Sequence, residues 1–276
     1  MITRLKQQAE ETVKVFDQGY YRAPSGRQVD ISATIADAKK GTVLYSRLPT
    51  AAPVGQPVHS TRLVVSNETT FSAVRRLAES GGHVGCLNFA SARSPGGGFL
   101  TGAQAQEESL ARASGLYPCL LMAPEYYEQN RANRSAIYLD LVIFSPRVPF
   151  IRDDAGVLLE KPVLASVITA PAPNAGAVAQ NEPRNLTLVE PTLRRRAELV
   201  LAVAQAHGVE KLVLGAWGCG VFRNDPRMVA ARFGELLQGS GRFASAFAEV
   251  VFAVFDRAQP PSTYRAFADR LSQASK

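Results

Sequence analysis

The chain has 276 residues, 46% hydrophobic and 20% charged, with 31 Lys+Arg against 24 Asp+Glu and a formal charge of +7. Such a composition is that of a globular protein; a disordered chain has too little hydrophobicity to offset the entropy of ordering. No run of about 18 apolar residues is present to form a membrane span, and 21 Gly and 17 Pro without a Gly-X-Y period exclude a collagen-like chain.

The amino-terminal MITRLKQQAEETVKVF carries charges every few residues and no apolar centre. It does not read as a secretory signal, and cytoplasmic residence is the expectation. Leu5, Ala9, Val13 and Phe16 recur every three to four residues and predict a helix over 3–17. Short strands are expected near 28–32 and 42–46. The Pro/Gly-rich PTAAPVGQPVH then reads as a long surface connection.

From Thr61 onward strands alternate with helices. TRLVVSN is a strand, TTFSAVRRLAES a helix stopped by Gly81 and Gly82, and VGCLNF a strand with little polar alternation. A helix is expected over 103–114. IYLDLVIFSP, VLASVITAP, KLVLGAW and AEVVFAVF follow as strands, with helices near 191–207 and 226–238 and a closing helix over 262–274. This alternation implies an α/β sandwich with a largely parallel sheet, whose ligands sit beyond the carboxyl ends of the strands.

Two loops occupy such positions. The first, SARSPGGGFLTGAQAQEES, joins Gly96, Gly97 and Gly98 to Gln106, Glu107 and Glu108. Consecutive glycines expose bare backbone N–H groups that suit an anion, phosphate above all. Carboxylates beside a phosphate are repelled unless one is protonated or binds sugar hydroxyls, so the pair points to chemistry on a sugar next to a phosphate. Neighbours on a helix point about 100° apart. The two therefore cannot flank one glycosidic bond as ordinary glycosidase carboxyls do. One is expected to face the scissile bond and the other to orient the sugar.

The second loop, GAWGCGVFRNDP, again exposes backbone at Gly215, Gly218 and Gly220, and Asn224, Asp225 and Pro226 form a helix start. Phe222 at its tip suits stacking on a sugar or base, or else capping of the core. Two facing glycine-rich loops suit a diphosphate. Trp217 reads as core. Tyr126 and Tyr127 either shape a cleft wall or join the core.

Cys86, Cys119 and Cys219 are too widely spaced for a disulfide framework or a CxxC zinc pattern and read as buried free thiols. His59, His83 and His207 fit no paired-ligand spacing. The +7 excess is as well explained by solubility as by an anionic ligand, and no interleaved basic and aromatic run supports direct nucleic-acid binding.

LNFASARSPGGGFLTGAQAQEESLARASGLY resembles the signature of bacterial-type poly(ADP-ribose) glycohydrolases of the macrodomain superfamily, a GGG followed at seven residues by QEE. GAWGCGVFRND resembles that family's diphosphate loop. The resemblance runs from about Thr61 to the carboxyl end. It implies a macrodomain-like α/β/α three-layer sandwich with a mixed central sheet over 61–276, and an N-terminal helical extension, 1–60, packed on it. It also implies cleavage of ribose–ribose O-glycosidic bonds of poly(ADP-ribose), releasing ADP-ribose from polymer ends.

By position, Glu108 would be the general acid/base, acting through an oxocarbenium-like intermediate, and Glu107 would hold ribose hydroxyls. Gly96, Gly97, Gly98, Gly218, Cys219, Gly220, Val221 and Phe222 would bind the diphosphate and terminal ribose, with Gln106 in the same motif. Asn88 would touch the terminal-ribose side, and Val221 would block chain extension. No metal or cofactor is implied. The implied partners are poly(ADP-ribose), ADP-ribose and ADP-ribosylated proteins, in the DNA damage response, with neither a membrane nor a nucleic acid. The alternative is a non-catalytic ADP-ribose-binding macrodomain. The motif does not place the adenine pocket; Phe255, at the end of a late strand, is a candidate for it, with core packing the expectation.

Overall fold

The computed structural model describes residues 2–50 and 59–272. Most of the Pro/Gly-rich connection, and positions 273–274 of the helix expected over 262–274, lie outside the described residues.

The first helix, α1 (Ile2–Gln18), buries Ala9, Thr12, Val15 and Phe16 on one stripe. A small antiparallel hairpin follows, β1 (Tyr20–Arg22) with β2 (Gln28–Asp30). Next comes α2 (Ser32–Lys40), where sequence reading places no helix. Its apolar stripe is short, only Ile35 and Ala38 being buried. Its start is fixed by Asp30, which accepts the Ser32 N–H at 2.8 Å. The strand β3 (Val43–Tyr45) closes this segment.

The remainder runs β4 (Arg62–Ser66), α3 (Thr70–Glu79), β5 (Val84–Phe89), a 3-10 turn at Phe99–Thr101, and α4 (Gln106–Ala113). Then come α5 (Leu116–Leu120), α6 (Pro124–Ala132), β6 (Val142–Arg152), β7 (Leu158–Ala170) and α7 (Ala175–Asn181). The chain ends with α8 (Val189–Ala206), β8 (Lys211–Gly215), α9 (Pro226–Leu237), β9 (Glu249–Ala253) and α10 (Ser262–Leu271). The strand expected over 137–146 begins only at Val142, because the preceding Asp140 turns away to two arginines of α8.

One seven-stranded sheet has the order β3-β6-β7-β5-β8-β9-β4. The β4–β9, β9–β8, β8–β5 and β5–β7 pairs are parallel. The β6–β7 and β3–β6 pairs are antiparallel. The sheet is therefore mixed, as the resemblance implies, and largely parallel, with antiparallel pairing confined to β3 and the long β6–β7 hairpin, where two strands follow each other without a crossover helix.

Successive strand residues point to opposite faces. Cys86, Ile143, Val167, Val213 and Val251 pack toward α2, α3 and α4. Leu87, Phe144, Ile168, Leu212, Leu214 and Val250 pack toward α8, α9 and α10. Two cores thus sandwich the sheet in a macrodomain-like three-layer fold. From the first 50 residues, β3 supplies an edge strand, and α1 packs against the Phe99–Thr101 turn and α4. The carboxyl ends of β4, β5, β8 and β9 share one crest, and both glycine-rich loops rise from it.

Candidate active site

A cleft of about 1200 Å³ opens at this crest. Its walls include Phe89 at the end of β5, Glu107 and Glu108 on α4, the loop after β8, and Phe255 beyond β9.

The geometry of the first loop is set by its carboxylates. The N-cap position of α4 is Ala105, which has no side-chain acceptor. Glu108, three residues on, folds back so that Oε2 accepts the Ala105 N–H at 3.0 Å. Its Oε1 accepts the Gly98 N–H at 3.1 Å. Gly97 lies directly behind: its φ is +58°, and a Cβ there would run into Glu108 Oε1 and lie 3.1 Å from Glu107 Oε2. Only glycine admits both the backbone and the carboxylates at this point. The Gly97 N–H donates to Ser94 O at 3.0 Å. The glycines thus stand behind the two acids, with the N–H groups of Gly97 and Gly98 already used within the protein.

Glu107 is only 3% exposed. Its Oε2 accepts the Ser91 N–H at 2.6 Å and its Oε1 accepts from Asn88 Nδ2 at 3.1 Å. Burial pushes its carboxyl up to about 8, and the charge of Glu108 adds to this. The Ser91 and Asn88 hydrogen bonds oppose the rise without reversing it. Burial thus favours the protonated form of Glu107.

Asn88 is fully buried; its Nδ2 also donates to Thr169 Oγ1 at 3.2 Å, while its Oδ1 has no partner. Gln106 clamps α4 to β5, accepting the Phe89 N–H at 2.9 Å and donating to Leu87 O at 2.8 Å. Buried Arg112, one turn beyond Glu108, donates to Ala103 O at 2.6 Å and steadies the same loop.

The second loop is built differently. Trp217 is fully buried, and its Nε1 donates to Ala170 O at 3.1 Å, tying the loop to β7. Gly218 has φ +73°, and its missing Cβ leaves room for the Asn224 amide and for Ala172, 2.6 Å from where that carbon would sit. Asn224 N–H then closes the loop on Gly218 O at 3.0 Å. Asp225 caps α9 by accepting the Arg227 N–H at 2.9 Å, with Pro226 in the first turn. Among the described residues, the N–H groups of Gly220, Val221 and Phe222 have no acceptor. These three residues line the cleft. They form a run of free donors of the kind that binds anions.

Val221 at the tip is 82% exposed. Phe222 is half-buried, with its ring centroid 6.1 Å from that of Tyr138. Cys219 is half-buried, and burial raises its thiol to about 12, so it is held as the protonated form. Cys86 and Cys119 are buried free thiols.

Two readings need revision or sharpening. Phe255 is not core: β9 ends at Ala253, Val254 is the last buried residue of that run, and Phe255 is 54% exposed on the cleft rim under the Arg257 guanidinium at 4.7 Å. Tyr126 and Tyr127 are both buried on α6. Sequence reading also overlooks Ser91, which fixes Glu107, and Tyr138, which faces Phe222. The first is a backbone contact that any residue type supplies; the second lies in a loop with no motif. Among the described residues no cluster of His, Cys, Asp and Glu could hold a metal.

The family model described as microbial-type PARG, catalytic domain, matches residues 9–153. A crystal structure of poly(ADP-ribose) glycohydrolase from Thermomonospora curvata is 47% identical, with a TM-score of 0.90, covering 98% of this chain and 100% of its own. The same enzyme bound to the inhibitor ADP-HPD is 48% identical over the same shares, also with a TM-score of 0.90. The Deinococcus radiodurans enzyme in complex with ADP-ribose is 49% identical with a TM-score of 0.82, covering 88% of this chain and 98% of its own. A comparison with curated proteins gives no match.

Proposed function

The chain belongs to the microbial-type poly(ADP-ribose) glycohydrolase family and is a glycoside hydrolase of poly(ADP-ribose), and from this premise we propose how its own residues divide the work. The free N–H groups of Gly220, Val221 and Phe222 hold the diphosphate, with Gly218 and Cys219 shaping the loop beneath. Glu108 is the general acid/base. It gives its proton to the 2′ oxygen as the bond from that oxygen to the anomeric carbon breaks, leaving an oxocarbenium-like sugar. The resulting carboxylate takes a proton from water while the water oxygen bonds to the anomeric carbon, which restores the acid. Positioned proton transfer of this kind contributes roughly 10²–10⁴-fold in rate, and the bound diphosphate offsets the positive charge of the intermediate.

Glu107, holding its own proton, presents a neutral group beside the diphosphate and hydrogen-bonds ribose hydroxyls. A charged carboxylate at position 107 would repel the diphosphate; burial disfavours that charge. Gly96, Gly97 and Gly98 act in this reading by fixing the carboxylates from behind. Asn88 and Gln106 lock Glu107 and the start of α4, and the exposed Val221 blocks extension past the terminal unit and favours release from polymer ends.

The first 60 residues serve, in their described part, as an extension packed on the catalytic core that begins at 61, to whose sheet they add β3. No helix among the described residues is long and apolar enough to cross a membrane. Within this proposal the polymer arrives on ADP-ribosylated proteins in the cytoplasm during the DNA damage response, without direct nucleic-acid contact.

The observation that carries the catalytic reading is the placement of Glu108. It is pinned by two backbone donors at the edge of a cleft that also holds a run of free N–H groups. A module that only reads ADP-ribose gains nothing from that carboxyl. The test is incubation with purified polymer and sizing of the products. Glu108→Gln is expected to stop ADP-ribose release while binding it within about threefold of wild type. Turnover by this variant at the wild-type rate would remove Glu108 from the mechanism.

A further inference from the structure

Tyr138 lies outside both loops, in the segment between α6 and β6. Its φ is +59°, left-handed backbone that a bulky residue rarely adopts. Glycine or asparagine would fill such a position at less cost.

The conformation is enforced from behind. Arg196 of α8 is fully buried, and its Nη2 donates to Ile137 O at 3.1 Å and to Tyr138 O at 3.2 Å. Its Nη1 donates to Pro171 O at 2.7 Å and its Nε to Asp140 Oδ1 at 3.0 Å. One guanidinium thus fastens the Tyr138 segment to the end of β7.

The ring this clamp holds in place lines the cleft, tilted against Phe222 at the tip of the second loop. An unfavourable backbone held by a buried cation, with the side chain aimed into a cleft, is the pattern of a functional constraint.

We infer that Tyr138 is a specificity-determining residue: its ring and that of Phe222 form the aromatic wall on which the terminal ribose of the bound unit packs, and Arg196 is the positioning residue that holds it there. The wall favours a nucleoside diphosphate carrying a further pentose over the bare nucleoside diphosphate. This inference rests on the proposed reading of the second loop as the diphosphate site.

The test is calorimetric titration of wild type and Tyr138→Gly with ADP-ribose and with ADP, alongside thermal melting of each protein. Wild type is expected to prefer ADP-ribose. Tyr138→Gly, which relieves the backbone and removes the ring, is expected to melt at or above the wild-type temperature while losing about tenfold in ADP-ribose affinity and less than about twofold in ADP affinity. A merely structural tyrosine would not give up selectivity while keeping stability.

Arg196→Lys retains the charge but not the fork, and is expected to show the same selective loss with a lower melting temperature. If wild type prefers ADP-ribose and Tyr138→Gly keeps that preference, or loses both ligands equally, the inference is overturned while the diphosphate reading stands. If wild type binds neither ligand, or does not distinguish them, the terminal-ribose reading fails and Tyr138 falls with it.

Discussion

The two glycine-rich loops look alike in sequence and do opposite things with their backbones. In the first, the N–H groups of Gly97 and Gly98 are used by Ser94 O and Glu108 Oε1. In the second, the N–H groups of Gly220, Val221 and Phe222, residues that line the cleft, have no acceptor among the described residues. Glycine content alone therefore does not mark an anion site. What matters is whether a carbonyl or carboxylate of the same protein has already taken the donors. The loop that satisfies itself holds the reacting groups in place; the loop left unsatisfied is the one available to a ligand.

This contrast can be broken most directly at Gly97. Gly97→Ala drives a methyl into the carboxylates and demands positive φ, costing about 1–3 kcal/mol of stability. Displacement of Glu108 is expected to lower turnover by about 100-fold or more, given the contribution of a positioned acid. Steady-state kinetics on polymer, with chemical denaturation, checks both. Retention of wild-type kcat would mean that the first loop does not position the chemistry.

Gly218→Ala tests the other loop. Its Cβ collides with Ala172 and the Asn224 amide at φ +73°. ADP-ribose affinity is expected to fall by about tenfold or more, close to the 1.4 kcal/mol that tenfold represents, while kcat at saturation falls much less. A fall in kcat as large as that of Gly97→Ala would erase the division of labour.

Glu107 sharpens the comparison through pH. Its carboxyl is raised from 4.5 to about 8, chiefly by burial. The native state therefore keeps a proton that the unfolded chain releases in this interval. The associated stability is complete below the unfolded value and is lost as pH rises through the folded one. Glu107→Gln cannot ionise, and the unpartnered Asn88 Oδ1 can turn to accept from its new amide. Denaturation midpoints from pH 5 to about 8 should then lose a slope that one shifted carboxyl contributes at about 1.4 kcal/mol per pH unit at most. An unchanged slope would mean that Glu107 is ionised in the native state.

The smallest effect is expected at Asp225, whose cap on α9 stands next to the free donors. Asp225→Ala should cost about 0.5–2 kcal/mol in stability, read by thermal melting. ADP-ribose affinity should change by less than about threefold, because the donors belong to the preceding residues. A larger loss would bring the start of α9 into the ligand site.

Motif spacing located both loops, the acid pair and the start of α9, because each is a local event within a dozen residues. The helix α2 was not legible, since Ile35 and Ala38 make too short a stripe to register as a period. The β6–β7 hairpin was hidden by the uniform apolar character of strands covered on both faces. Phe255 reads as one more core residue of AEVVFAVF until the sheet is seen to stop two residues earlier.

The amino-acid sequence by itself determined which residue types could carry the chemistry and at what spacing, because hydrophobic period, turn chemistry and helix capping act over short stretches of chain. Only the tertiary structure decided which N–H groups remain free, which of two adjacent glutamates is buried deeply enough to keep its proton, and that Arg196, 58 residues away, sets the backbone of Tyr138. Desolvation and hydrogen-bond satisfaction depend on everything packed around a group, and that packing comes from parts of the chain remote in sequence.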